Sequence, residues 1–515
     1  MNNLGGRLAT PEGRSIFTDL AFDGLRVPAR LPGQPRPSGS GYVVPAGSLA
    51  LLHPFGDTVF YRHGWNSWSP SGWARLSGET IGIKNNPERL LTADDARNET
   101  PSQHTGSAVG AIEGVNGAIL LVGALGLGSP RVGADQNTLW GTTESDESEW
   151  FIGYGPEREV FAEYAELVRS SLGRRTARAG AVWSSWYSMY EDIEEHSVRE
   201  LVTDLQGYPF DVFQLDDGWE SRVGDWEAGD RFPSGMKDLA SHISAAGFRP
   251  GLWLAPLIAL PNSQIARERP DLMVQAESGG PCVTGYNWGS HYYTLDTTQA
   301  EVRDHLREVF SRVVEWGFTY LKLDFMYAGA VDGLRSAPTH RERVYREAVE
   351  HIRKIVGEDV YLLGSGVPML PSVGIFDGAR VGPDVAPFWS NAERVGDPSG
   401  VGALNAMQAA INRTWMKPLY EIDPDAVYFR SSRNLLDDRE RQLLRDVAAV
   451  TEFRSTSDPI AWMNDVERRE LRSWMTDRDE VEQIDRYRFR ISDRLVDFTE
   501  IAAGTLPAVP PSVAG

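Results

Sequence analysis

FTYLKLDFMYAG, Phe318 to Gly329, alternates as a short buried strand does: Leu321, Leu323 and Phe325 fall on one face, Tyr320, Lys322 and Asp324 on the other. A lysine and an aspartate on one face of an apolar strand are costly unless they are paired or open onto a polar cavity. Similar runs lie on either side, several ending in a carboxylate, an arginine or a tryptophan. GAVWSSWY, VFQLDD and FRPGLWLAP precede the stretch; VYLLGSG and ARVGPD follow it, with weaker strands near WMKPLYEID and STSDPIAW. Eight strands alternating with helices predict an α/β chain with a (β/α)8 barrel over residues 179–470. A doubly wound open sheet fits the same alternation, although no Gly-rich nucleotide turn follows any of these strands.

The helix starts are marked by capping-box spacings at Ser197–Glu200, Thr298–Glu301, Thr339–Glu342 and Asp437–Glu440, and Gly207, Gly247, Gly317 and Gly357 stand where helices should stop. From Thr298, one face carries Val302, Leu306, Val309, Phe310 and Val313, as an outer barrel helix requires. Before the barrel, residues 1–155 hold short apolar runs broken by Gly, Pro, Ser and Asn, the pattern of an antiparallel β-sandwich. Residues 156–178 read as a linking helix. Residues 471–515 read as a short C-terminal β extension whose last residues, LPAVPPSVAG, form a frayed terminus.

Composition narrows the function. A net charge of -21 argues against nucleic acid or an anionic membrane surface as partner, since both call for basic patches. The N-terminus lacks a basic-then-apolar signal region and no apolar run reaches membrane-spanning length. With the lone Cys282, this suggests a reducing, cytoplasmic setting. Sixteen tryptophans fit either a core rich in large aromatics or a protein that stacks sugars on indole. Trp65, Trp68 and Trp73 lie among turn residues in HGWNSWSPSGW, a poor place to bury three indoles. Whether this loop serves its own barrel or a neighbouring subunit is open at this level, as is the oligomeric state.

Catalytic groups of a (β/α)8 barrel come from the C-terminal ends of its strands. Those ends supply Trp183 and Trp186, Asp216 and Asp217, Trp253, Lys322 and Asp324, Ser365, Arg380 and Asp384. Carboxylates flanked by indoles, without a His or Cys cluster, point to glycoside chemistry, in which a carboxylate nucleophile and a carboxylic acid flank the scissile bond. A metal site fits poorly because adjacent Asp216 and Asp217 splay apart and no His accompanies them. Taken singly, each Asp is as well explained by a helix cap or an ion pair; four on apolar strands are not. Lys322 should keep Asp324 ionised for attack. Asp384, in the apolar RVGPDVAPFW, should have a raised pKa and act as the acid. Arg380 complicates that role, since a close cation lowers a carboxyl pKa. Asp216 and Asp217 can fix adjacent hydroxyls of one sugar ring.

VFQLDDGWE, GLWLAP, LKLDFMYAGAV, LLGSGVPMLPSVG and RVGPDVAPFW resemble the α-galactosidases of glycoside hydrolase family 36, in particular the shorter bacterial thermophile type. The resemblance runs strongly from Ala181 to Asp425 and more weakly through GWNSW. It implies Asp324 as nucleophile and Asp384 as acid/base, with Asp216 and Asp217 accepting the galactose 4- and 6-hydroxyls. It further implies Lys322 and Arg380 as hydroxyl donors, walls made by Trp183, Trp253 and an indole of Trp65 or Trp68, and a retaining double displacement that needs no cofactor or metal. Ser365 and Val367 depart from the GCG-type turn of relatives near the sugar 2-position, WSSW replaces the frequent WCSW, and Gly218–Trp219 stands where Tyr is frequent. The expected function is a retaining exo-α-galactosidase acting on small oligosaccharides. The alternatives are a β-L-arabinopyranosidase, an α-N-acetylgalactosaminidase, a raffinose-type galactosyltransferase, or a catalytically silent sugar-binding protein.

Overall fold

The computed structural model describes residues 15–82, 92–98, 103–145, 148–394 and 396–502. The tail LPAVPPSVAG, read as frayed, lies outside the described residues. The chain forms two compact units, one of Met1–His63, Trp73–Ile81 and Arg97–Leu172, the other of Gly64–Gly72, Gly82–Ala96 and Gly173–Gly515.

The first unit holds two antiparallel sheets, of six and seven strands. Gly141 of one sheet would, with a Cβ added, meet Trp150 and Val122 of the other at 3.2 Å, so the inner faces interdigitate as in a sandwich. The helix Glu157–Leu172 lays Val160, Phe161, Tyr164, Ala165 and Val168 inward. The Tyr164 hydroxyl donates to the Ala124 carbonyl at 3.0 Å, which ties this helix to the seven-stranded sheet.

The second unit is built on eight parallel strands: β1 (Ala181–Ser184), β2 (Val212–Leu215), β3 (Arg249–Leu254), β4 (Tyr320–Leu323), β5 (Tyr361–Gly364), β6 (Gly378–Arg380), β7 (Glu421–Asp423) and β8 (Arg454–Thr456). Consecutive strands pair from β1 to β7, and β8 returns to pair with β1. Just past β7, Val427 bridges Thr456 of β8, so the barrel is nearly closed. Its strands are buried on both faces, which is why apolar residues occupy outward positions while Lys322 and Tyr320 turn inward. The alternation of the opening stretch stops one residue early. Phe325 was expected beside Leu321 and Leu323, but its left-handed backbone (φ 55°, ψ 27°) turns the chain, and its ring meets Trp68, Trp288 and Tyr292 instead.

The helices Ala300–Trp316 and Arg341–Val356 stop at Gly317 and Gly357, both with positive φ. Only one of the four expected capping boxes forms, at Asp437–Glu440. In place of Ser197 the cap is Glu194, three residues earlier, where buried Glu195 accepts the Ser234 N–H at 2.9 Å. At Thr298 and Thr339 the caps are Gln299 and His340. Beyond the barrel, Val481–Gln483, Arg488–Ile491 and Arg494–Asp497 form a three-stranded sheet joined to the helix Asp438–Thr451 by Arg494–Asp446. Among the described residues no helix is long and apolar enough to cross a membrane.

Candidate active site

Asp324 follows β4 directly and is 8% exposed. Its N–H donates to Leu254 of β3 at 2.8 Å, which locks the strand end in register. The carboxylate receives the Trp253 indole N–H at 3.1 Å and the Phe325 backbone N–H at 2.9 Å. Lys322 Nζ stands 3.8 Å from it, but only 2.8 Å from Asp216 Oδ2, so the lysine expected to serve Asp324 bridges two carboxylates. Burial alone would lower the Lys322 pKa; Asp216 and Asp324 together outweigh it and hold the ammonium charged.

Asp216 and Asp217 end β2 and diverge. The Asp216 N–H donates to Ser185 Oγ at 2.9 Å, and its carboxylate meets Lys322. Asp217 turns to the Trp288 indole N–H at 2.8 Å. Burial, then Glu220, raises the Asp217 pKa well above the usual carboxylate range, and burial raises that of Glu220 too. Trp288 sits at the tip of the hairpin made by Val283–Asn287 and Ser290–Thr294, where φ is 50°. The NWG turn in the sequence marks this tip, yet nothing there signals that its indole reaches Asp217.

At β6, Arg380 Nη1 meets Asp384 Oδ1 at 3.0 Å and Asp425 Oδ2 at 2.6 Å, while its Nε meets Asp423 Oδ2 at 3.3 Å. Asp384 is partly enclosed, with 35% of its side chain reaching solvent. That burial pushes its carboxyl up to about 6, against the pull of Arg380 and with the help of Asp425. Asp423 and Asp425 escape the sequence reading although YEIDPD obeys the strand-end rule that selects the others.

The expected aromatic walls divide. Trp253 donates to Asp324, whereas Trp183 is fully buried, stacked on Phe213 at 4.8 Å with its N–H on the Asp458 carbonyl. Of the loop indoles, Trp68 packs edge-on against Phe325 at 5.3 Å and beside Tyr327, while Trp65 lies under the Arg341 guanidinium at 5.0 Å. Gly366, with φ 62°, lies so close to Trp68 that a Cβ would meet the indole at 3.0 Å. Ser365 bridges β4 and β5 through backbone bonds to Leu323 and Met326. The loop Gly64–Gly72 is fastened by the buried Arg413, which donates to the carbonyls of Ser67, Asn66 and Ser69 at 2.7–2.9 Å and to Ser71 Oγ at 3.0 Å. Nothing in the sequence near Arg413 signals this role. Among the described residues no three His, Cys, Asp or Glu side chains are grouped to hold a metal ion.

The chain matches the Melibiase family model over residues 152–353. Among curated proteins, it is 27% identical over 192 residues to α-galactosidase AgaA of Geobacillus stearothermophilus, a match covering 35% of this chain and 26% of that protein, so the chain aligns with about a quarter of that relative's length. A GH36 α-galactosidase structure from the same organism, in complex with raffinose, shares the fold at 17% identity and TM-score 0.59, covering 87% of this chain and 65% of its own. An α-galactosidase structure from Thermus thermophilus, in complex with p-nitrophenyl α-D-galactopyranoside, matches at 38% identity and TM-score 0.88, covering 95% of this chain and 100% of its own. With that identity carried across the whole of the Thermus chain, and with the barrel and its strand-end carboxylates in place, this chain belongs to the GH36 α-galactosidase family.

Proposed function

We propose that the chain is a retaining exo-α-galactosidase that removes terminal α-galactosyl residues from small oligosaccharides, with Asp324 as nucleophile and Asp384 as acid/base. The observation that carries the roles is the contrast between two strand-end carboxyls. Asp324 faces three donors, as an attacking carboxylate should; Asp384 is pushed up to about 6, as a proton donor near neutrality should be. In the first step Asp384 gives its proton to the glycosidic oxygen while Asp324 attacks the anomeric carbon, releasing the leaving group and forming a β-galactosyl ester. In the second, Asp384 takes a proton from water, whose oxygen displaces Asp324 and restores the α configuration. Asp216 and Asp217 accept hydroxyls of the galactose ring, Lys322 and Arg380 donate to it, and Trp253, Trp68 and Trp288 supply apolar walls for its C–H faces. The single cysteine, Cys282, fits a reducing, cytoplasmic setting.

A panel of nitrophenyl α- and β-glycosides tests the reading. The wild type should turn over the α-galactoside, and Asp324→Ala should lose roughly 10⁴-fold or more in kcat, partly rescued by azide with β-galactosyl azide as product. Turnover confined to another glycoside would sink the substrate assignment, and an active Asp324→Ala would sink the mechanism.

A further inference from the structure

Arg380 presents a physical problem. A guanidinium 3.0 Å from Asp384 should drag that carboxyl into its ionised form, yet the proposed role needs it protonated when substrate binds. Asp425 offers the resolution. It takes the same Arg380 nitrogen at the shorter distance of 2.6 Å, and Asp423 takes Nε at 3.3 Å.

Asp425 is held there against its own backbone preference. Its φ is 84°, a conformation unfavourable for a non-glycine residue unless the surroundings impose it. Here they do. The Asp425 N–H donates to Asp423 Oδ1 at 2.8 Å, its Oδ1 accepts the Ala426 N–H at 2.7 Å, and its Oδ2 accepts the Val385 N–H at 2.9 Å. The Tyr187 hydroxyl also donates to Oδ2. Burial and Asp423 raise the pKa of this carboxyl, while Arg380, the Tyr187 hydroxyl and Lys322 pull it down and favour its ionised form. The Val385 bond reaches the residue next to Asp384, so Asp425 grips both Arg380 and the segment carrying the acid.

We propose that Asp425 is a positioning residue for Asp384: by holding Arg380, it keeps the guanidinium from pairing fully with Asp384 and leaves Asp384 free to act as a proton donor. This rests on the acid/base role proposed above. The charged and titratable groups facing this pair are Arg380, Asp423, Tyr187, Tyr190 and Tyr428, with Lys322 and Asp324 from β4. Removing Asp425 takes away a negative charge that favours the protonated acid and releases a cation that favours the ionised one. Both effects have the same sign.

The test is the pH profile of kcat for Asp425→Asn, measured with an α-galactosyl disaccharide, a poor leaving group, and with p-nitrophenyl α-galactoside, an activated one. For the disaccharide, the alkaline limb should move acidward by about 1 pH unit. For the activated substrate, the profile should move much less, because departure needs little protonation. An unmoved limb with uniform loss on both substrates would mean a purely structural role and overturn the proposal. Tyr187→Phe, which removes one donor to Asp425, should shift the limb in the same direction by less; if Asp425→Asn does not fold, an unmoved limb in Tyr187→Phe overturns the proposal instead. Asp384→Ala separates the two claims. Equal losses on both substrates in that variant would sink the acid role itself, whatever Asp425→Asn does.

Discussion

The ends of β4 and β6 each set an aspartate beside a basic side chain and leave the two aspartates in different surroundings. At β4, one lysine spans Asp216 and Asp324, and two neutral N–H groups complete the Asp324 carboxylate. At β6, one arginine serves Asp425 at 2.6 Å, Asp384 at 3.0 Å and Asp423 at 3.3 Å, and Asp384 is the most exposed of the three. The nearness of a cation therefore does not fix a carboxyl's state. What counts is how many carboxylates divide that cation and which of them hold it most firmly. Arginine suits the crowded end because its fork of donors engages several acceptors at once, whereas lysine offers a point charge.

Removing each cation should break the comparison hardest. Arg380→Ala strands three carboxylates, two of them almost wholly buried; breaking a single buried pair already costs about 3–5 kcal/mol. Lys322→Ala strands two. In thermal unfolding, Arg380→Ala should therefore have the lower Tm, and both variants should lose most of their kcat. A Tm for Arg380→Ala equal to that of the wild type would show that its carboxylates relax by protonation and that Arg380 does not organise the site.

The next effect is one of pH. Asp384 has a carboxyl raised to about 6 and must be protonated to act as acid, so activity on poor leaving groups should be present below that pH and fall as pH rises through it. Initial rates on a disaccharide from pH 4 to 9, converted to kcat, would measure this limb. A plateau extending to pH 8 would mean that bound substrate or another group sets the donor.

The barrel is legible in the sequence because its strands are short apolar runs that end in polar residues, and burial on both faces leaves no other place for them. Helix starts are less legible. A capping box competes with tertiary bonds, as Glu195 shows, while the box that forms at Asn464–Glu467 follows a run with no clear strand-to-helix break. In the site, Lys322 beside Asp324 follows from alternation alone. Trp288 and Arg413 do not, because their partners lie 71 residues and more than 300 residues away in the chain, and pairings of that span follow from packing.

The smallest expected effect concerns Asp217, a proposed hydroxyl acceptor that makes no salt bridge among the described residues. Its charge is opposed by burial, by Glu220 and by Asp216, and Glu191 acts in the same sense on Glu220. Arg231 is the nearby counter-charge, bonded to the Gly218 carbonyl at 3.2 Å and acting on Glu191. To accept sugar hydroxyls with both oxygens Asp217 must be ionised, and its raised pKa means that acid conditions neutralise it first. KM should therefore rise as pH falls, on the side opposite to the Asp384 limb. Glu220→Gln removes the rival charge while keeping the length and hydrogen-bonding of the side chain, so Asp217 ionises more readily. The variant should show a KM lower by a few-fold on the acid side, because Asp217 stays ionised to lower pH, with KM near neutrality and kcat little changed. If KM worsens equally at every pH, Glu220 acts by packing; if it improves only in acid, the end of β2 obeys the same rule of divided charge as β4 and β6, with a proton taking the place of the missing cation.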